Sequence, residues 1–285
     1  MFFLKILILA FVQGAAELLP VSSSAHVIVA EKLMGLDPTS PEMTMLLVML
    51  HTGTMFAVIV YFWKDWLRSY FSSGAAFVST VINVVLATAC TGVVGLGLQK
   101  VIEHVFMKGV PHAEIETLFG NSLLIAAALA AVGVLIIYSG VRTERKIGRL
   151  DIKPAQSCVI GIVQGICLPF RGFSRSGATI STGLLLGSTR YKVEEFSFAL
   201  AVVLTPVIIA KEGLRLLKAN KEGAHLALGA LLTPSLVGMV VSFVAGLLAL
   251  KLLSRWLESG QWKLFGFYCL AAAVTVLALH FTLGI

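Results

Sequence analysis

The stretch QGAAELLPVSSSAH, residues 13–26, places polar side chains inside an otherwise apolar segment. It contains a carboxylate at Glu17, three consecutive serines and an imidazole at His26. A hydrocarbon environment penalises each of these groups unless they face a cavity or one another. The stretch therefore predicts a polar centre within a protein whose surroundings are apolar.

The composition of the whole chain is that of an integral membrane protein. Of its 285 residues, 58% are hydrophobic and only 13% are charged, whereas soluble domains carry about 25% charged residues. Six apolar runs can cross a hydrocarbon core, for which a helix needs about 20 residues. These predicted spans are 43–63, 69–99, 121–142, 196–210, 226–250 and 264–285. The 196–210 run is short, so it requires its flanking charges, Glu194, Glu195 and Lys211, to lie at the interfaces.

The net charge of +7 is modest for a chain of this size. Cytoplasmic loops of membrane proteins are enriched in Lys and Arg, which anionic headgroups attract. We therefore attribute the charge to membrane topology and lipid contact, and expect no nucleic acid as a partner. The four cysteines lie in apolar segments without a CxxC pair, so neither a disulfide framework nor a zinc site is expected.

A weak internal repeat relates two polar loops. FVQGAAELLPVSSSAH begins at Phe11, and IVQGICLPFRGFSRSGAT begins at Ile162. Each contains Val-Gln-Gly, a proline and a serine-rich loop, and each is flanked by apolar pieces too short to span. Interrupted apolar stretches that recur in two halves indicate re-entrant hairpins and a site at the bilayer midplane. The first 16 residues could pass for a secretory signal peptide, but the repeat indicates that this segment is kept.

The predicted fold is an all-α integral membrane protein with six transmembrane helices plus two re-entrant helix hairpins in an inverted repeat. We expect a single membrane domain over 1–285, with a first repeat at 1–142 and a second at 143–285. The hairpins are predicted at about 6–33 and about 155–188. Three spans separate them, so they enter from opposite faces and their polar tips can meet near the bilayer centre.

The first polar loop offers a carboxylate, hydroxyls and an imidazole. Gln13 and Glu17 are four residues apart and share one helix face, although Glu17 at an interface is the simpler alternative. Ser22 and Ser23 precede an apolar piece, where one hydroxyl would suffice to cap a helix. Because three serines are present, with His26 about one turn onward, we expect an anion site at a helix N-terminus.

The second polar loop, PFRGFSRSGAT, supplies cations. Its two arginines stand among three hydroxyls; the set is Arg171, Ser174, Arg175, Ser176 and Thr179. Guanidinium groups bind phosphate oxygens through a bidentate fork, although an arginine in a membrane loop can also contact lipid headgroups alone. Together the two loops offer a cation clamp, an oxygen nucleophile and a proton acceptor, which are the parts for phosphoryl transfer.

His51 is a lone histidine inside a predicted span. Such a residue more often hydrogen-bonds to a neighbouring helix, but it could also border the polar centre. The histidines outside this span and the first loop show no spacing typical of metal ligands.

The two loops resemble the motifs of the undecaprenyl-diphosphate phosphatase family of bacteria, also called bacitracin-resistance proteins. The first motif of that family is Glu/Gln-x-x-x-Glu followed by Pro-x-Ser-Ser-x-x-His, and it is matched by Gln13, Glu17, Pro20, Ser22, Ser23 and His26. The second motif is Pro-Gly-x-Ser-Arg-Ser-Gly-x-Thr, and it is matched by Ser174, Arg175, Ser176, Gly177 and Thr179. Chain length and span count also fit, so the resemblance covers essentially the whole chain.

The chain departs from the family pattern at two positions. Gln13 stands where the family often has Glu, so a metal at Glu17 would have the neutral amide oxygen of Gln13 as its second protein ligand. The second motif reads PFRGFSRSG rather than the shorter Pro-Gly form. This longer form adds Arg171, which could strengthen phosphate binding or reshape the mouth of the site.

The resemblance implies a membrane phosphatase that hydrolyses undecaprenyl diphosphate to undecaprenyl phosphate and inorganic phosphate. This activity would recycle the lipid carrier for cell-wall synthesis and confer bacitracin resistance. Ser23 is the expected nucleophile, activated by Glu17 or His26, and His26 is the alternative nucleophile. Arg175 would hold the phosphates, with help from Gln13, Ser22, Arg171, Ser174, Ser176 and Thr179. A divalent cation, Mg²⁺ or Ca²⁺, at Glu17 with Gln13 would supply Lewis-acid charge.

The alternative is an inverted-repeat transporter or flippase for an anionic polyprenyl phosphate, because secondary transporters build midplane sites from broken helices. In that class Glu17 and His26 would be proton-coupling groups. We expect a multi-pass protein of the bacterial inner membrane, with undecaprenyl diphosphate and membrane lipids as partners. The sequence does not decide the oligomeric state, and a homodimer is one of the alternatives. The face bearing the 140–153 loop carries more Lys and Arg than the other face, which weakly favours it as cytoplasmic.

Overall fold

A computed structural model describes residues 2–36, 40–106, 120–143, 152–221 and 228–284. These ranges are helical apart from short connections. The helices are α1 (Phe2–Leu18), α2 (Ser23–Leu33), α3 (Pro41–Ser69), α4 (Gly74–Val101), α5 (Ser122–Thr143), α6 (Pro154–Cys167), α7 (Arg175–Leu185), α8 (Arg190–Lys221), α9 (Leu228–Glu258) and α10 (Trp262–Leu283). A π-helical turn, Ile102–Phe106, continues α4.

Six helices in the described ranges are long and apolar enough to cross a membrane. Their candidate spans are Met43–Ser69, Gly74–Val105, Ser122–Thr143, Arg190–Ala210, Leu232–Glu258 and Trp262–Leu283. Each predicted span overlaps one of them, so the predicted all-α membrane class and the number of spans are confirmed. Large apolar side chains on these helices remain exposed, which suits a hydrocarbon surrounding.

The start of α8 carries two carboxylates that pack inside the protein. Glu194 and Glu195 are both buried within the protein, at 2% and 0% exposure, and their predicted place at a membrane interface stays a prediction. Ser254 of α9 donates to Glu194 over 2.5 Å, and Ser69 of α3 donates to Glu195. Lys192 pairs with Glu195 at 2.9 Å. These partners satisfy the two carboxylates, so the start of α8 can be packed against α3 and α9.

Two pairs of shorter helices coincide with the predicted hairpins. In the pair α1–α2, Lys5 Nζ donates to the Met34 carbonyl over 2.6 Å. In the pair α6–α7, Gln156 Nε2 donates to the Leu186 carbonyl over 2.8 Å. Each chain segment therefore returns to the level at which it began, as a re-entrant hairpin requires. Re-entry into a membrane and the division of the chain into two repeats stay predictions.

The helices of the two halves pack crosswise. α1 lies against α9, α6 lies against α4, and α5 pairs with α10. The glycine of each Val-Gln-Gly stands at such a crossing. A Cβ added at Gly14 would lie 2.5 Å from the Ser242 carbonyl of α9, and one at Gly165 would lie 2.9 Å from the Thr91 carbonyl of α4. The repeated motif thus makes corresponding contacts in both halves.

The main apolar cluster surrounds the place where the hairpin tips meet. It joins Leu18 and Val21 at the first tip with Ala178 and Ile180 of α7 and Phe198 of α8, all of them buried. Close packing of this kind resists displacement of either tip.

Several residues that decide the predicted orientation lie outside the described residues. They include the loop residues 107–119, 144–151 and 222–227 and the side chain of Lys211. The choice of the cytoplasmic face therefore stays a prediction.

Candidate active site

The tips of the two hairpins meet, and an ion pair joins them. Arg175 Nη2, at the first residue of α7, lies 2.7 Å from Glu17 Oε1, near the end of α1. The Ser176 hydroxyl also crosses between the tips and donates to the Leu19 carbonyl over 3.3 Å. The side chains of the ion pair keep 21% and 16% of their surface exposed. Arg175 and Glu17 are therefore packed together but still accessible.

Glu17 is the residue to which most of the polar contacts lead. Its Oε2 accepts hydrogen bonds from the Ser23 hydroxyl over 2.5 Å and from Gln13 Nε2 over 3.3 Å, while Oε1 faces Arg175. A charged partner and two further donors stabilise a carboxylate as the anion. A hydroxyl that donates to such an anion has the geometry of a nucleophile beside its general base.

A strained turn delivers Ser23 to this position. Ser22 has φ 67°, in the left-handed region, and it is the only non-glycine residue of the described ranges with a positive φ. Its hydroxyl accepts from Ala25 N over 3.5 Å and so caps α2. A non-glycine residue in this region costs about 1–3 kcal/mol, and such residues are concentrated at active sites.

The N-termini of two helices meet at the ion pair. Ser23 is the first residue of α2 and Arg175 the first of α7, and both contact Glu17. Ser174 caps α7 by accepting from Gly177 N over 3.2 Å, and its hydroxyl lies 3.4 Å from that of Ser176. The positive ends of two helix dipoles thus point to one place, which is the arrangement that favours a phosphate.

Thr179 and Arg171 lie at different depths in the second hairpin. Thr179 is fully buried, and its hydroxyl lies 2.6 Å from that of Ser197 on α8. In this structure it holds α7 against α8. Arg171 is exposed at the second tip. The next residue, Gly172, has φ 101° and donates from its backbone N to Ser24 Oγ of the first tip over 3.4 Å.

His26 has a partner at each ring nitrogen. Nδ1 lies 2.8 Å from the Ser22 carbonyl, and Nε2 lies 2.7 Å from the Tyr268 hydroxyl. Both nitrogens are therefore occupied by neighbours, whereas Ser23 contacts Glu17 directly.

Two residues at the site come from helices outside both hairpins. His51 of α3 places Nδ1 3.0 Å from Gln13 Nε2 and 3.9 Å from Glu17 Oε2, so it borders the polar centre, the option that the sequence left open. Tyr268 of α10 was not predicted. It lies in an apolar run, and no motif distinguishes it from an ordinary membrane tyrosine.

Among the described residues, Glu17 supplies the one carboxylate at this site that could bind a hard divalent cation. Mg²⁺ usually takes one or two carboxylates together with substrate phosphates and keeps several waters. In this structure Gln13 presents its amide nitrogen to Glu17, so the amide would have to turn over to match that pattern once a phosphate is bound. No cluster of three or more His, Cys, Asp or Glu side chains suited to a metal occurs in the described part of the chain, so the substrate would have to complete the coordination.

Comparison with known proteins adds independent information. The family model described as bacitracin resistance protein BacA matches residues 6–275. The chain is 63% identical over 279 residues to "Undecaprenyl-diphosphatase 2" of Acinetobacter baylyi, covering 97% of each chain. It is 33% identical over 277 residues to "Undecaprenyl-diphosphatase" of Parabacteroides distasonis, covering 95% of this chain and 96% of the relative. A third relative, "Undecaprenyl-diphosphatase" of Desulfitobacterium hafniense, is 32% identical over 283 residues, with 96% and 94% covered.

Proposed function

The chain belongs to the bacitracin resistance protein BacA family, and from that membership we propose how its polar centre works. The protein is a membrane phosphatase that hydrolyses undecaprenyl diphosphate to undecaprenyl phosphate and inorganic phosphate. This activity recycles the lipid carrier for cell-wall synthesis and accounts for the family's link to bacitracin resistance. The similarities do not favour a transporter.

The diphosphate head binds between the hairpin tips while the prenyl chain stays among the apolar helices. Arg175 turns part of its guanidinium fork from Glu17 to the phosphate oxygens, and the starts of α2 and α7 add backbone N–H donors. The contact between Arg175 and Glu17 supports this assignment, because it shows that one arginine reaches the same place as the reactive oxygens. Arg171, exposed at the tip, attracts the head as it enters.

Ser23 is the nucleophile and Glu17 its general base. The Ser23 oxygen attacks the terminal phosphorus as its proton passes to Glu17, and the bond to the bridging oxygen breaks, releasing undecaprenyl phosphate. Water then attacks the phosphoserine, and Glu17 returns its proton to the departing Ser23 oxygen. Inorganic phosphate is released, and the Ser23 hydroxyl and the Glu17 carboxylate are restored. The single observation that carries this mechanism is the 2.5 Å hydrogen bond from Ser23 to Glu17 beside Arg175.

His26 is the weaker candidate for the nucleophile. An imidazole attacks through a free lone pair, and in this structure the two ring nitrogens face the Ser22 carbonyl and the Tyr268 hydroxyl. His26 would have to lose a partner before it could react, whereas Ser23 is already paired with a base.

We also propose that Glu17 and Gln13 hold a divalent cation, Mg²⁺ or Ca²⁺, when substrate is bound. The ion would supply Lewis-acid charge to the phosphate oxygens. This chain would contribute the Glu17 carboxylate and, after its amide turns over from the orientation in this structure, the Gln13 amide oxygen. The substrate would contribute the rest.

The protein is a multi-pass membrane protein, and we propose the bacterial inner membrane as its location. Bilayer lipids surround its exposed apolar faces, and a homodimer is compatible with the exposed apolar surface. If the predicted charge bias sets the orientation, the site opens to the outer face.

The decisive experiment is phosphate release from undecaprenyl diphosphate by purified protein in detergent. We expect turnover by the wild type, loss of turnover with EDTA, and recovery on adding Mg²⁺ or Ca²⁺. Ser23→Ala should reduce phosphate release to background, while the matched variant Ser72→Ala, in an exposed loop, should behave as wild type. No release by the wild type would instead indicate a transporter. A phosphorylated His26 trapped in Ser23→Ala would make His26 the nucleophile.

A further inference from the structure

Tyr268 of α10 is hydrogen-bonded to His26, beside the polar centre, although the two residues are 242 positions apart in the sequence. Its hydroxyl lies 2.7 Å from His26 Nε2. The two rings are nearly parallel, at 16°, with centroids 5.6 Å apart. Tyr268 is half-exposed, so burial alone does not explain this contact.

The partners of His26 determine which nitrogen carries its proton. The Ser22 carbonyl can only accept a hydrogen bond, so the neutral ring carries its proton on Nδ1. Nε2 then has the lone pair and accepts from the Tyr268 hydroxyl. Removing that hydroxyl would leave the Ser22 carbonyl as the one remaining hydrogen-bond partner of the ring, so His26 could rotate and weaken its contact with Ser22.

The next residue of α10, Cys269, contacts the turn between α1 and α2 that leads to Ser22. The Cys269 thiol is fully buried and donates to the Pro20 carbonyl over 3.3 Å. α10 thus contacts the loop at Pro20 and at His26, on either side of the strained Ser22. A strained conformation persists only where surrounding contacts enforce it, and these two contacts from α10 are of that kind.

We propose that Tyr268 is a positioning residue for phosphoryl transfer. Its hydroxyl donates to Nε2 and holds the His26 ring in place, and His26 in turn holds the Ser22 backbone so that the Ser23 hydroxyl stays against Glu17. Tyr268 touches neither the ion pair nor the nucleophile and acts through His26. Reaction rates fall steeply when a nucleophile moves by even 1 Å. Loss of the Tyr268 hydroxyl should therefore lower kcat and leave substrate binding unchanged.

The test is Tyr268→Phe, which removes one hydroxyl and keeps the ring; it rests on the proposed phosphatase activity. We expect kcat for phosphate release to fall about tenfold, the factor that one hydrogen bond of this kind is worth, with KM unchanged. Tyr138→Phe is the matched control: Tyr138 is also half-exposed, lies on α5, and accepts from Arg142. It should retain wild-type kcat and KM.

A double-mutant cycle with His26→Ala separates positioning from general destabilisation. Once His26 is absent, Tyr268→Phe should lower kcat no further, because its effect passes through that residue. Independent effects of the two changes would overturn the proposal, as would unchanged kcat in Tyr268→Phe or a change confined to KM. An inactive wild type would refute the phosphatase function itself, so the two failures are distinguishable.

Discussion

Arg175 reaches Glu17 across 158 residues of sequence, whereas Ser23 and Gln13 contact Glu17 from its own hairpin. On the Glu17 side, Gln13 lies one turn before it on α1, and His51 lies beyond Gln13 on α3. The amide of Gln13 therefore links an imidazole to the carboxylate. A second carboxylate at position 13 would repel Glu17, whereas the amide donates a hydrogen bond to it.

Arg175→Ala should abolish turnover in a protein that stays folded. An arginine that stabilises the charge of a phosphoryl transition state is worth about 10³–10⁵ in rate. Arg175→Lys should recover only part of this, since lysine keeps the charge but lacks the bidentate fork. The measurement is phosphate release by purified variants whose elution from a sizing column matches that of the wild type.

Arg142→Ala is the matched control for that change. Arg142 is exposed at the end of α5, where it lies 5.8 Å from the centre of the Tyr138 ring, and it should be dispensable for turnover. If Arg175→Ala were as active as Arg142→Ala, Arg175 would have no place in the mechanism.

At the scale of elements, the contact of α1 with α9 sets the position of Gln13 and Glu17, which α1 carries. A Cβ at Gly14 would lie within 3 Å of the Ser242 backbone and of the Ala245 side chain. A glycine here is required by space and not by backbone conformation. Any larger residue would push α1 away from α9 and would carry Glu17 with it.

Gly14→Ala should therefore destabilise the protein and lower its activity. Overpacking of this kind costs about 1–3 kcal/mol, which should appear as a lower midpoint of thermal unfolding in detergent. The control is Gly97→Ala on α4, where an added Cβ meets nothing within 4 Å. There the better helix propensity of alanine, worth up to about 1 kcal/mol, should leave the midpoint unchanged or raise it. Equal midpoints for the two variants would contradict the packing argument.

At the scale of the whole molecule, two half-crossing hairpins from opposite faces would explain how two loops so far apart in sequence meet. Three candidate spans, on α3, α4 and α5, lie between the hairpins. Each hairpin is closed at its open end by one hydrogen bond, from Lys5 or from Gln156, and the tips meet between these ends. The polar centre then lies where the tips meet.

Thiol labelling tests this topology. In a cysteine-free background we expect Leu33→Cys, at the open end of the first hairpin, to be labelled from one side of membrane vesicles. Leu186→Cys, at the open end of the second, should be labelled from the opposite side. An impermeant maleimide on right-side-out and inverted vesicles provides the measurement.

Ser72→Cys, in the loop after α3, is the internal reference. One span separates it from the first hairpin, so it should share the side of Leu186→Cys. Labelling of all three positions from the same side would rule out hairpins that enter from opposite faces.

Much of the architecture was predictable because it depends on local chemistry. The number of spans follows from runs of apolar residues, since any helix of that length and composition is stable in hydrocarbon. The hairpins follow from prolines and polar residues that interrupt two shorter runs. Thr179 shows the limit at the level of one residue: its place in a motif predicts a phosphate ligand, but its side chain packs on Ser197.

The sequence by itself determined the class of protein, the two polar loops and the residue types that meet there, because composition and motif spacing are properties of the chain alone. Only the tertiary structure decided which side chains contact one another: that Ser23 faces Glu17, that His26 faces Tyr268, and that His51 borders the centre. The physical reason is that a helix presents residues around its whole circumference, and the packing of α3 and α10 against the hairpins selects the faces that are in contact.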